Sequence, residues 1–113
     1  MLNDVSRQGR PRIAALGGDG IGPEVLSAAR RVLQHAGFVA EWRELPIGWE
    51  LWKSEGNALP DRTLVALREC DAALLGAVTS KPEARAREEL SPKLRDRGLV
   101  YRSAVVRLRQ TMD

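Results

Sequence analysis

Short apolar runs alternate with longer amphipathic ones along this 113-residue chain. Arg12 to Leu16 is apolar after its first residue, which suits a strand covered on both faces, as in a parallel sheet. From Pro23 the apolar positions Val25, Leu26, Ala29, Val32, Leu33 and Ala36 recur at helical spacing, and Gly37 is placed to stop that helix at C′. Phe38 to Leu45 sets Val39, Glu41 and Arg43 against Phe38, Ala40 and Trp42, which predicts a second strand with two unlike faces. Ile47 to Gly56 reads as a short helix that packs Trp49 and Trp52 and closes at Gly56. Pro60-Asp61 opens another helix, Arg62 to Glu69, with Leu64, Val65 and Leu67 expected inward. Ala72 to Leu75 then forms a third, fully apolar strand. Lys81 to Arg97 is polar and holds Pro82 and Pro92, so it reads as an exposed excursion with a helical middle, Glu83 to Leu90. Residues 81–100 are expected to pack least. A last helix follows from the period of Val105, Leu108 and Met112.

This order predicts an α/β fold: an open, mostly parallel sheet with flanking helices, its strands near 12–16, 38–45 and 71–76 and its main helices near 23–36, 61–69 and 103–113. In such sheets ligands bind outside the carboxyl ends of the strands. Two loops, Gly17–Gly22 and Gly76–Lys81, follow strands and therefore share that edge.

Composition narrows the function classes. No run approaches the ~18 apolar residues of a membrane span, and the first eleven residues carry Asp4, Arg7 and Arg10 rather than a leader's apolar stretch, so a cytoplasmic location is expected. Cys70 is the single cysteine and His35 the single histidine, which excludes an internal disulfide and a Cys/His metal cluster. Residues 1–80 hold 9 basic and 10 acidic side chains, whereas residues 81–113 hold 9 and 5. A basic patch is the footprint of nucleic-acid binding, but here Glu83, Glu88, Glu89 and Asp96 interleave with the arginines and Tyr101 is the one aromatic, so no stacking platform is offered. A carboxylate-binding pocket is the better functional reading, and a solvated charged face the plainer one.

The stretch GGDGIGPEV, Gly17 to Val25, joins the first strand to the first helix. Its glycines permit positive φ and a close backbone approach, and Pro23 suits a first helical turn. Asp19 is the one charged side chain of the loop proper, placed where a carboxylate serves helix dipole and cap. The spacing matches neither the dinucleotide fingerprint, whose third glycine would fall one residue later than Gly22, nor a phosphate loop, which would need Lys and Ser or Thr where Pro23 and Glu24 stand. A tight strand-to-helix turn and a cofactor cradle both remain open.

The motifs IAALGGDGIGPEV (Ile13–Val25), GNALPDRTL (Gly56–Leu64), DAALLGAVTSKP (Asp71–Pro82) and YRSAVVRLRQTMD (Tyr101–Asp113) occur in this order. Together they make the chain resemble the N-terminal part of the β-decarboxylating dehydrogenases, the family of isocitrate, 3-isopropylmalate, homoisocitrate and tartrate dehydrogenases. The resemblance implies an isopropylmalate-dehydrogenase-like fold, with residues 1–11 a flexible lead-in and 12–113 the N-terminal part of a longer domain. It implies NAD- or NADP-dependent oxidation of a 2-hydroxy di- or tricarboxylic acid, with decarboxylation assisted by Mg²⁺ or Mn²⁺ through ligands outside this chain. It also implies a homodimer when full length, a role in amino-acid biosynthesis, and no catalytic activity in these 113 residues alone.

By the same resemblance, the S-x-x-x-x-L-R pattern from Ser103 to Arg109 marks a substrate helix. Arg109 is the expected carboxylate clamp, because a planar guanidinium holds a carboxylate bidentately where Lys cannot. Ser103 falls where relatives contact the substrate's variable group. Val105 stands where isocitrate enzymes carry Asn, which favours 3-isopropylmalate or homoisocitrate. Thr79 and Ser80 match the segment beside nicotinamide and substrate, with Ser80 read as substrate-binding and Thr79 as cofactor-binding, though both hydroxyls could equally cap the following turn. Gly18, Asp19, Gly20 and Ile21 are the remaining expected cofactor contacts. A non-catalytic ligand-binding or regulatory domain of the same fold is the alternative reading. Tyrosine, lysine and metal-binding aspartates in order beyond Asp113 would discriminate the two.

Overall fold

A computed structural model describes residues 9–112. Most of the expected lead-in, residues 1–8, and Asp113, the last residue of the expected helix 103–113, lie outside the described residues. The elements run β1 (Arg12–Gly18), α1 (Gly22–His35), β2 (Glu41–Glu44), α2 (Trp49–Glu55), α3 (Asp61–Arg68), β3 (Ala72–Ala77), α4 (Glu83–Glu89), a 3₁₀ turn (Pro92–Arg97) and α5 (Ala104–Met112). The sheet is wholly parallel with strand order β2-β1-β3. Ile13 pairs with Trp42 on one side and Ala72 on the other, and Gly18 pairs with Ala77.

Because the chain leaves β1 for one neighbour and later returns to its other side, the strand order reverses at β1. A reversal of this kind opens a crevice at the carboxyl ends of the two strands that flank it. The loops after β1 and β3 meet at that edge of the sheet.

Alternation along β1 divides the packing. Ala14 and Leu16 enter the main cluster with Ile47, Trp49, Trp52, Leu59, Leu64 and Leu67, while the α1 side holds Ile13, Ala15 and Leu26. Gly37 takes φ +91° just past α1 and Gly56 takes φ +77° at the end of α2, the left-handed conformation that releases a chain from a helix.

Four expectations are corrected. The α1 stripe is only half used: Leu26 is buried, but Val25 and Val32 are 43% and 69% exposed, because α1 lies across β1 and β3 and nothing among the described residues covers its outer side. Val65 points outward on α3, where Thr63, Leu64 and Leu67 form the inner face. The second strand is shorter than expected, Glu41–Glu44 rather than Phe38–Leu45, while β3 forms as expected, as an edge strand with Ala72, Ala73 and Leu75 exposed. Residues 81–100 are not the least packed, since Ala86, Leu90 and Leu94, four apart, enter the core and Trp52 Nε1 donates to the Ala86 carbonyl at 2.7 Å.

Candidate functional site

The glycine-rich turn is built by backbone crowding. A Cβ on Gly18, which sits at φ +80°, would lie 1.9 Å from the Ala77 carbonyl oxygen, and one on Gly22 would lie 2.0 Å from that of Gly17. Those glycines therefore let β1, β3 and the start of α1 touch. Gly20 differs: its φ is +54°, yet a Cβ there meets nothing within 4 Å. Gly20 and the 67%-exposed Ile21 form the open tip of the loop at the crevice.

Asp19 is buried although charged, at 7% exposure. Its carboxylate accepts the backbone N–H groups of Trp49 at 2.7 Å, Glu50 at 3.3 Å and Thr79 at 2.9 Å, while its own N–H donates to Ala77 O at 2.7 Å. The expected capping of α1 is corrected: Ile21 occupies that N-cap without a side-chain bond, and Asp19 caps α2 across the fold. Gly48 makes this approach possible, since a Cβ there would stand 2.6 Å from both carboxylate oxygens. One side chain thus ties the β1 loop, the β3 loop and α2 together, and Asp19 is turned into these bonds rather than toward solvent.

Beyond β3, Thr79 is half-buried and Ser80 exposed. Neither caps α4, whose N-cap is Pro82. Ser80 Oγ instead lies 2.7 Å from the Tyr101 hydroxyl. Lys81, next in line, meets both Glu89 oxygens at 3.0 Å and stands 5.4 Å from the Trp49 ring centre. The Trp49 indole N–H donates to Glu89 at 2.8 Å. That bond, followed by the Lys81 ammonium, holds the Glu89 carboxyl down at about 2.

On the expected substrate helix, Ser103 Oγ accepts the Val106 N–H at 3.4 Å and so sits at the N-terminus of α5. Arg107, which the sequence did not single out, donates to Asn57 Oδ1 at 2.8 Å and Leu59 O at 3.1 Å, anchoring α5 to the loop before α3. Arg109 is exposed and its side chain makes no ion pair or hydrogen bond among the described residues. Arg102 precedes the first helical residue, Ala104, and so lies off α5.

The structure therefore joins Gly18, Asp19, Thr79 and Ser80 through direct contacts and adds Trp49 and Tyr101, which the pattern marked only as packing and as a lone aromatic. Ser103 follows Tyr101 by two residues, and Arg109 lies further along α5. Residue spacing could not have found Trp49 or Tyr101, because their partners are remote in sequence. Among the described residues no three His, Cys, Asp or Glu side chains converge as metal ligands, so the residues present do not by themselves form the divalent-metal site implied by the resemblance. No helix among them is long and apolar enough to cross a membrane.

Comparison with known proteins agrees with this arrangement. The isocitrate/isopropylmalate dehydrogenase family profile matches residues 12–113. Protein DlpA of Legionella pneumophila is 44% identical over 102 residues, covering 90% of this chain and 17% of its own length. An isocitrate/homoisocitrate dehydrogenase of Thermus thermophilus is 45% identical over 69 residues, which is 61% of this chain and 21% of that enzyme. The crystal structure of an apo β-decarboxylating dehydrogenase from Thermococcus kodakarensis superposes on 90% of this chain with a TM-score of 0.71 at 28% identity, using 26% of that protein. The chain thus spans about a sixth to a quarter of these proteins, and over residues 12–113 it belongs to the isocitrate/isopropylmalate dehydrogenase family of decarboxylating dehydrogenases.

Proposed function

We propose that residues 12–113 form the N-terminal part of an isopropylmalate-dehydrogenase-like domain in an NAD(P)-dependent enzyme that oxidises and decarboxylates a 2-hydroxy di- or tricarboxylic acid. A substrate of the 3-isopropylmalate or homoisocitrate type is favoured over isocitrate by Val105, which cannot hydrogen-bond a distal carboxylate. The observation that carries this reading is the meeting of the β1 and β3 loops around buried Asp19 at the reversal of strand order, with Ser80 linked to the segment that opens into α5. Arg109, without a partner among the described residues, is free to clamp a substrate carboxylate with its planar fork. Gly20 and Ile21 fit a dinucleotide edge, since one offers open backbone and the other an exposed apolar side chain. A bound nicotinamide would supply the hydride acceptor; the chain's own residues bind, orient and shield the hydroxy acid. The full protein is a homodimer in this reading, acts in amino-acid biosynthesis in the cytoplasm, and has small carboxylic acids rather than nucleic acid or membrane as partners.

The test is the reduction of NAD and of NADP by the full-length polypeptide with Mg²⁺ or Mn²⁺, supplied in turn with 3-isopropylmalate, homoisocitrate and isocitrate. Turnover of one of the first two in preference to isocitrate is expected. No turnover of any of the three, with the purified protein folded, would remove the reading in favour of a ligand-binding domain.

A further inference from the structure

The Tyr101 hydroxyl stands 2.7 Å from Ser80 Oγ and 3.5 Å from the Thr79 carbonyl oxygen. Its ring is fixed independently of these bonds: it packs edge-on against Trp49, with centroids 4.9 Å apart, and against Trp52, at 5.4 Å. Both indoles are pinned in turn, Trp52 by the Ala86 carbonyl and Trp49 by Glu89. The phenol is thus already in place, and little further side-chain freedom is lost when its hydroxyl bonds. Ser80 is exposed, and a serine hydroxyl there would otherwise turn freely in water.

Acidity favours one of the two directions open to this bond. A phenol is a stronger acid than an alkyl alcohol and so the better donor, while the Thr79 carbonyl lies at the outer limit of hydrogen-bonding distance. Either hydroxyl can donate in this pair; with Tyr101 as the donor to Ser80 Oγ, the serine's own proton is left for another acceptor. We infer that Tyr101 is a positioning residue that holds the Thr79–Ser80 loop against the start of α5 and presents Ser80 as a donor to an acceptor oxygen of the hydroxy acid. The inference rests on the dehydrogenase reading of this crevice and adds a recognition element to it: the substrate group beside Ser80 carries a carboxylate or hydroxyl oxygen rather than only alkyl.

Steady-state kinetics of the full-length polypeptide with its preferred hydroxy acid, comparing the parent with Tyr101→Phe, Ser80→Ala and the double variant, test this. Phenylalanine keeps the ring between the tryptophans, so Tm should stay near that of the parent. Each single substitution should raise KM for the hydroxy acid about 3- to 10-fold with kcat within about twofold, and the double variant should be no worse than Ser80→Ala. An unchanged KM in Tyr101→Phe, or effects that multiply in the double variant, would overturn the role. If the Phe variant loses stability, Ser80→Ala, at an exposed position, decides alone, and an unchanged KM there overturns the inference. A parent inactive on every 2-hydroxy acid overturns the dehydrogenase reading along with it, whereas an active parent with a silent Tyr101→Phe removes only Tyr101.

Discussion

The Asp19 carboxylate lies 2.7 Å from the backbone nitrogen of Trp49, 30 residues further along the chain. Replacing it with alanine removes the acceptor of three N–H groups, that of Trp49 buried and those of Glu50 and Thr79 partly buried. The expected loss is roughly 3 kcal/mol or more, since bonds to a charged acceptor are the stronger class and unsatisfied buried donors carry their desolvation cost. Asn keeps one acceptor oxygen and should lose about half as much. Equilibrium urea denaturation of the three proteins checks this ranking, and equal stability of Asp19→Ala and parent would refute it.

Gly18 and Gly20 should part company on substitution. Alanine at Gly18 drives Cβ into the Ala77 carbonyl and should cost roughly 4 kcal/mol or break the β1–β3 pairing outright. Alanine at Gly20 meets open space and should cost only about 1 kcal/mol for its left-handed backbone. Thermal unfolding separates the two, and dinucleotide binding to the stable Gly20→Ala protein then reports whether the loop tip contacts cofactor.

Glu89 makes stability depend on acid. Its folded carboxyl titrates near 2 against an ordinary 4.5, through the Trp49 indole bond first and Lys81 second. A depressed folded value means that its contribution is present above about 4.5 and drains away as pH falls toward 2. Glu89→Gln should therefore flatten the stability profile in that window and leave its shape above pH 5 unaltered. Urea midpoints measured across pH 2 to 6 test the sign, and a parallel pair of curves would contradict it.

Arg107 and Arg109 stand two residues apart with opposite expectations. Arg107→Ala removes the bonds to Asn57 and Leu59 and should lower stability by about 1–2 kcal/mol. Arg109→Lys should leave stability unchanged but lower kcat/KM of the full-length enzyme by ~10²-fold, the loss of roughly 3 kcal/mol from a bidentate carboxylate contact. Cofactor affinity should hardly move. Unfolding curves and kinetics on the same two preparations decide both, and an unaltered kcat/KM in Arg109→Lys removes Arg109 from the site.

Much of the architecture is a short-range matter and was legible as such. Helical spacing, two-residue alternation, and Gly37 and Gly56 at helix ends act over a few residues, so the order of strands and helices and the shared edge of the two loops follow from pattern alone. What the tertiary structure decided involves partners far apart in sequence. Asp19 could satisfy several N–H groups, and only the fold selects those of Trp49, Glu50 and Thr79 over the adjacent helix. Apolar periodicity marks a face without naming what covers it, which is why Val32 and Val65 are exposed while Ala86, Leu90 and Leu94 are buried. An arginine's type likewise cannot say whether it is engaged: Arg107 meets Asn57 and Leu59 because the chain brings that loop under α5, and Arg109 has no side-chain partner among the described residues.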